Sequence, residues 1–213
     1  MLTETDRALK IIKLFKKEYD QTRVGLPYND PFELLIATIL SAQCTDKRVN
    51  TVTPALFRKY PTVQHFAKAK LQDLEKAIKS TGIYRNKAKN IKSASKMIIE
   101  RYNSKVPSTM KDLLDLPGVA RKTANIVLTN AYGVIEGIAV DTHVKRLSQR
   151  LFLTRDSNPD RVEKDLTVLF PKEEWGNINY LFITHGRKIC RAKHPLCSEC
   201  VVNTLCPSAF KIK

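Results

Sequence analysis

The sequence predicts an all-α fold on three observations. Apolar residues recur at helical spacing along most of the 213 residues, capping and helix-ending residues flank these stretches, and no strand–helix alternation is visible. The first stretch, 6–19, is an example, because it places Leu9, Ile12, Phe15 and Tyr19 on one face. We therefore expect a series of amphipathic helices joined by short connections.

The helices can be assigned in chain order from their caps and breaks. Asp30 is a suitable N-cap, Pro31 suits the first turn, and Glu33 can complete a capping box. The helix over Phe32–Leu40 is apolar on nearly every side, so we expect it to be central in the core. Further helices are predicted near 46–60, 70–80, 86–102, 109–115, 121–132, 142–152, 159–169 and 173–187, with stops or breaks at Gly82, Pro107 and Pro117.

Charge restricts the class of partner. The chain has 37 Lys and Arg against 21 Asp and Glu, a formal net charge of +16. This excess favours a polyanion such as DNA or RNA, although solubility alone is the plainer interpretation.

The sequence predicts no membrane helix, because it contains no run of about 18 apolar residues. The N-terminus lacks the apolar segment of a signal peptide, so we expect a cytoplasmic protein.

Four of the five cysteines predict a metal site. They follow the pattern Cys190-x6-Cys197-x2-Cys200-x5-Cys206. The spacing leaves zinc and an iron–sulfur cluster open, because only one short C-x2-C pair is present. Cys44 stands alone and is expected to be a small core residue. The loop after the first cysteine carries Arg191 and Lys193, which either bind phosphate or offset the negative charge of the site.

A glycine-bearing turn joins two predicted helices at 116–124. Pro117 and Gly118 form the turn, and the next helix begins near Ala120 with unpaired backbone N–H groups. Such a helix start can bind an anion, although it can also be an ordinary helical corner.

Lys122 lies in the first turn of that helix, beside Arg121. The helix dipole and the neighbouring charge both favour the neutral amine, which is a nucleophile, whereas most lysines are simply solvated. Asp141 directly follows an apolar segment. It can cap the helix beginning at Thr142, and it can also stabilise positive charge developing on a sugar.

Together these features resemble the endonuclease III family of DNA glycosylases. The matching motifs are Leu40-Ser41-Ala42-Gln43, Gly82 to Ala88, the turn at 116–124 through to Val140-Asp141-Thr142-His143, and the four cysteines. The resemblance implies a six-helix domain over 25–134 with a helix-hairpin-helix at about 112–126. It also implies a second domain that joins 1–24 to 135–213 and holds a [4Fe-4S] cluster, with the active site in the cleft between the domains.

The resemblance also implies a role for each site residue. Lys122 is the expected nucleophile, Asp141 the catalytic carboxylate, and the four cysteines the cluster ligands. The expected DNA contacts are Gln43, Ile83, Gly118, Val119, Ala120, Arg121, Thr123, Arg191 and Lys193. One departure stands out, because many members have glycine where this chain has Ala120. A positive φ at that position would weaken the grip on phosphate.

The implied enzyme is a monomer that acts on double-stranded DNA carrying a damaged base or an abasic site, in the cytoplasm at the nucleoid. It removes oxidised or ring-saturated pyrimidines and cuts the strand by β-elimination. A monofunctional adenine or thymine mismatch glycosylase and a non-enzymatic DNA-binding protein are the alternatives. Lys122 favours the lyase, because those monofunctional relatives lack a lysine at this position.

Overall fold

The computed structural model describes residues 3–19 and 25–212, and within these ranges the chain is helical with no β-strand. The predicted all-α class is therefore confirmed. The helices are α1 (Glu4–Glu18), α2 (Pro31–Ser41), α3 (Asp46–Lys59), α4 (Val63–Lys68), α5 (Leu71–Ile78), α6 (Tyr84–Arg101), α7 (Met110–Leu114), α8 (Arg121–Val127), α9 (Thr142–Arg150), α10 (Pro159–Leu169) and α11 (Lys172–Lys188).

Two details differ from the predicted helices. Helix α4 is absent from the prediction, because six residues are too few to show a helical period. The predicted helix over 121–132 is regular only to Val127 and continues as a π-helical turn over Leu128–Tyr132. Single π turns of this kind occur inside helices and are frequent at functional sites.

The chain divides into two compact units, each with its own core. The central unit is Val24–Glu136, and the terminal unit joins Met1–Arg23 to Gly137–Lys213. The predicted domain boundary between residues 24 and 25 borders residues 20–24, which lie outside the described residues. In the terminal unit, α1 packs against α10 and α11, and Phe15 meets Phe182 edge-on with ring centroids 5.9 Å apart.

Helix α2 is the centre of the core of the central unit, as its apolar sequence predicts. Every residue from Leu34 to Leu40 is buried. Asp30 caps the helix, because its Oδ1 accepts from the Glu33 backbone N–H at 2.8 Å. The Glu33 carboxylate in turn accepts from the backbone N–H of Asn29 at 2.8 Å. In a standard capping box it would accept from the N-cap residue itself, Asp30, which is one residue later.

None of the described helices is both long and apolar enough to cross a membrane.

Candidate functional site

The predicted turn between α7 and α8 is present, and its glycine is required. Gly118 has φ +82°, a left-handed conformation that side chains disfavour. A Cβ atom added there would lie 2.8 Å from the Cβ of Asn90. The turn is closed by the Val119 N–H, which donates to the Leu116 carbonyl at 3.1 Å. Backbone geometry and close packing therefore both select glycine at position 118.

Ala120, which stands where many family members have glycine, adopts its backbone conformation without strain. Ala120 is the N-cap residue of α8, with φ −95° and ψ 169°, an extended conformation open to any residue. Its carbonyl accepts the first helical hydrogen bond, from the Ala124 N–H at 3.0 Å. An alanine side chain has no acceptor with which to cap the helix, so the positive end of the α8 dipole is not offset by this residue.

We expect the Gly118→Ala variant to lose about 2 kcal/mol of folding free energy, because it combines a strained φ with a steric clash. Gly133 is the matched control, since it also has a positive φ, +66°, but has open space where a Cβ would lie. The Gly133→Ala variant should lose only about 1 kcal/mol. Urea denaturation of the two variants tests this, and equal losses would show that contact with Asn90 is unimportant.

Lys122 is exposed at the second position of α8. The buried face of the helix is formed by Ala124, Asn125 and Val127, which hold α8 in the central unit. Arg121 is also exposed, and Thr123 is half-buried. The amine therefore lies in solvent at the positive end of a helix and next to a second cation, as the sequence predicts.

Asp141 begins α9 in the terminal unit, directly after the buried residues Ile138, Ala139 and Val140. Its Oδ1 accepts from the backbone N–H groups of His143 and Val144, at 2.8 Å each. The predicted cap is therefore present, and it fixes the orientation of the half-buried carboxyl group.

Gln43 and Ile83 share an uncommon backbone geometry. Their φ angles are +51° and +45°, in the left-handed region. For a β-branched residue such as Ile83 this conformation is strained, and its side chain is nevertheless 49% exposed. Gln43 is exposed as well. Strained residues that project apolar or polar groups into solvent are concentrated at binding sites.

Lys87 belongs to this region and is not among the site residues that the sequence predicts. Its side chain is buried in the central unit, and its Nζ donates to the Leu40 carbonyl at 2.8 Å and to the Thr81 carbonyl at 2.7 Å. Burial lowers the pKa of this amine. The signal in the sequence is its register, since Lys87 shares one face of α6 with the buried Ile91 and Ile98.

The four predicted metal ligands lie around one cavity in the terminal unit. Cys190, Cys197, Cys200 and Cys206 are all half-buried, and the cavity is otherwise lined mainly by apolar side chains such as Leu147, Leu196 and Val202. Burial, followed by weaker effects of the neighbouring thiols, raises the pKa of Cys200 to about 11. Among the described residues, no three His, Cys, Asp or Glu side chains form a site for a single metal ion.

Two side-chain nitrogen atoms lie close to these thiols. Arg150 Nη1 lies 3.3 Å from the Cys190 Sγ, and His185 Nε2 lies 3.5 Å from the Cys200 Sγ. Burial lowers the pKa of His185 to about 4, so the imidazole is neutral at physiological pH, and the Tyr19 hydroxyl lies 2.7 Å from its other nitrogen. Four thiols in an apolar cavity with such donors fit an iron–sulfur cluster.

The loop after Cys190 exposes the two predicted cations. Arg191 and Lys193 are both exposed, and the backbone carbonyls of residues 191 and 192 accept from Arg150 at 2.6 and 2.8 Å. The loop is thus fixed through its backbone. Cys44 lies in the central unit, half-buried against its core, as expected for a cysteine outside the metal pattern.

Residues 36–172 match the family model described as "HhH-GPD superfamily base excision DNA repair protein". The chain is 52% identical over 209 residues to endonuclease III of Synechocystis sp., covering 98% of this chain and 95% of the relative. It is 49% identical to endonuclease III of Bacillus subtilis, covering 87% of this chain and 85% of the relative.

Solved structures give the same result. A trapped endonuclease III–DNA covalent intermediate is similar with a TM-score of 0.93 and 44% identity, covering 99% of both chains. A thermostable thymine-DNA glycosylase is similar with a TM-score of 0.84 and 25% identity, covering 96% of this chain and 97% of that one. The chain therefore belongs to the endonuclease III family of the HhH-GPD superfamily of base excision DNA repair proteins.

Proposed function

We propose that this base excision repair enzyme removes oxidised or ring-saturated pyrimidines from double-stranded DNA and then cuts the strand through a Schiff base on Lys122. The family is one of DNA glycosylases that also have lyase activity. The observation that carries the proposal is the lysine exposed at the second position of α8, directly after the Gly118 turn. The similar structure of a trapped endonuclease III–DNA covalent intermediate supports a covalent mechanism.

In the first step, the Lys122 amine attacks C1′ of the damaged nucleotide. The C1′–N bond breaks, the base leaves with the bonding electron pair and takes up a proton, and the amine loses a proton to give an imine after ring opening. Asp141 stabilises the positive charge that develops on the sugar, and its rigid cap keeps the carboxylate in one orientation.

In the second step, a proton is removed from C2′ of the imine. The electron pair of that C–H bond forms a double bond between C1′ and C2′, while the π pair of the imine moves to nitrogen and gives an enamine. The nitrogen pair then re-forms the imine, the C1′–C2′ double bond moves to C2′–C3′, and the C3′–O bond breaks. The 3′ phosphate leaves with its electron pair. Water finally hydrolyses the imine and returns Lys122 as a free amine.

The DNA contacts follow from the same fold. We assign phosphate binding to the hairpin at 112–126, with Gly118, Val119, Ala120, Arg121 and Thr123 at its turn and helix start. Arg191 and Lys193 add further phosphate contacts from the terminal unit. The damaged nucleotide must leave the base stack, because C1′ is otherwise inaccessible, and we assign Gln43 and Ile83 to the space that it vacates. The exposed, left-handed positions of these two residues support this assignment.

The four cysteines would hold a [4Fe-4S] cluster. When bound, the cluster would link the segment from Cys190 to Cys206 into one rigid loop, because each thiolate ligates one iron.

We propose that residues 25–134 are the six-helix domain and that 1–24 with 135–213 form the cluster domain. We further propose that the enzyme works as a monomer at the nucleoid.

Metal analysis should find about four iron atoms per chain and no zinc in protein purified without air. The Cys200→Ser variant should lose the iron, the visible absorption and much of its thermal stability, because it removes one of four ligands. The Cys44→Ser variant is the control and should keep all three, since Cys44 lies in the other unit. Colourless, iron-free wild-type protein would rule out the cluster.

A duplex oligonucleotide with one oxidised thymine tests the function. The proposal predicts that the wild-type enzyme releases the base and cuts the strand at that site. Release of adenine or thymine from a mismatch without cutting would instead support the monofunctional alternative. The similarity to a thymine-DNA glycosylase structure is the observation that keeps this alternative open. Binding without either reaction would indicate a DNA-binding protein only.

A further inference from the structure

We propose that Lys87 is a positioning residue, whose buried amino group holds together the two loops that carry Gln43 and Ile83. The inference deepens the proposed function, because it rests on the assignment of those two residues to the space left by the flipped nucleotide. Lys87 itself is 5% exposed and does not reach the DNA. It acts through the backbone of the two loops.

The first loop leaves the C-terminus of α2. The Leu40 carbonyl has lost its helical partner there, because the Cys44 N–H donates to Ser41 instead, at 3.0 Å. Lys87 Nζ supplies the missing donor at 2.8 Å. An unsatisfied carbonyl at a buried helix end is costly, so this hydrogen bond fixes where α2 ends and where the chain turns toward Gln43, three residues later.

The second loop leads into α6. Lys87 Nζ donates to the Thr81 carbonyl at 2.7 Å, and Thr81 is also buried. The next two residues, Gly82 and Ile83, both have positive φ angles, +69° and +45°. The positive φ of Ile83 is strained, and such conformations persist only when the surrounding structure fixes them. The hydrogen bond from Lys87 to Thr81, two residues earlier, fixes the start of this turn.

One amino group therefore joins the two segments at their buried ends. An apolar side chain of similar length could fill the same space but would leave both carbonyls without a donor. Without this bridge, each loop could relax out of its left-handed geometry independently. The exposed tips would then be less well placed to enter the base stack, although α8 and Lys122 would be unaffected.

Lys92 offers a matched control on the same helix. Its Nζ also donates to a backbone carbonyl, that of Ala69 directly after α4, and its side chain is partly buried. No residue assigned to DNA contact lies in that connection. The Lys87→Met variant removes two lysine–carbonyl hydrogen bonds and the Lys92→Met variant removes one from the same helix, and only the first affects the loops of Gln43 and Ile83.

The experiment compares two substrates under single-turnover conditions. One is a duplex with an oxidised thymine, where the nucleotide must be extruded from the stack. The other is a single strand with an abasic site, which has no base pair to open and needs only the lyase chemistry. We expect Lys87→Met to slow base release on the duplex by about tenfold or more while its single-strand cleavage stays within about twofold of wild type. Lys92→Met should stay within about twofold on both substrates.

An equal loss on both substrates, or no loss on either, would overturn the proposal, because the bridge would then be purely structural or unimportant. If Lys87→Met does not fold, Lys87→Arg replaces it with the same criterion, since its bulkier guanidinium must displace both loops. Hydrogen exchange adds a readout independent of catalysis, and the amides of 41–44 and 82–84 should exchange faster in the Lys87 variant only. A wild-type enzyme inactive on both substrates would contradict the proposed function rather than this inference.

Discussion

The Lys122→Gln variant is expected to cut abasic DNA at least about 10³ times more slowly than the wild type, because it lacks the only nucleophile that the account provides. This corresponds to a loss of about 4 kcal/mol of transition-state stabilisation. Stability should be unchanged, since Lys122 is exposed and the buried face of α8 is untouched. Single-turnover cleavage on gels and thermal unfolding measure the two quantities.

Two variants separate nucleophilicity from charge. Lys122→Arg keeps a cation at the start of α8, so it should bind DNA like the wild type and still fail to cut it. Arg121→Gln should have the opposite effect, because it removes a proposed phosphate contact but keeps the amine, and it should bind more weakly and still cut bound DNA. Strand cleavage by Lys122→Arg at the wild-type rate would show that position 122 provides charge and no nucleophile.

The Asp141→Asn variant is expected to lose about 10²-fold or more in base release while keeping its fold. Asparagine presents the same Oδ1 acceptor to the His143 and Val144 N–H groups, so the cap of α9 is retained. The variant loses the carboxylate charge that we propose stabilises the positive sugar. Single-turnover base release and urea denaturation distinguish the catalytic loss from any structural loss.

The Asp141→Ala variant completes the comparison. It should lose as much activity as the asparagine variant and in addition about 1 kcal/mol of stability, because two backbone N–H groups lose their acceptor. If the asparagine variant were fully active and only the alanine variant impaired, Asp141 would be a helix cap without a catalytic role.

Features set by local chemistry were predicted well from the sequence. The helix starts at Asp30 and Asp141 follow from side chains that can accept from the first backbone N–H groups, and both caps are found. The buried α2 follows from its continuous apolar sequence. The Gly118 turn follows from a glycine between two helical patterns, and the position of the four cysteines around one cavity follows from their spacing.

Features set by tertiary contacts were not predictable in the same way. The side-chain chemistry of Lys87 suggests an exposed residue, and its burial is explained by two backbone carbonyls, that of Thr81 nearby and that of Leu40, which is remote in sequence. The left-handed conformations of Gln43 and Ile83 oppose the local preferences of both residues, so no propensity predicts them. The short α4 and the π turn after Val127 lack a periodic signal.

The Lys122 Schiff base is tested most directly by borohydride trapping on duplex DNA with one oxidised thymine, followed by mass spectrometry of the trapped protein. Borohydride reduces an imine to a stable amine, so the modified lysine is identified by its peptide. The proposed mechanism predicts one adduct per chain, on Lys122, and none in the Lys122→Gln variant. Base release without an adduct, or an adduct on another amine, would contradict the Lys122 Schiff base.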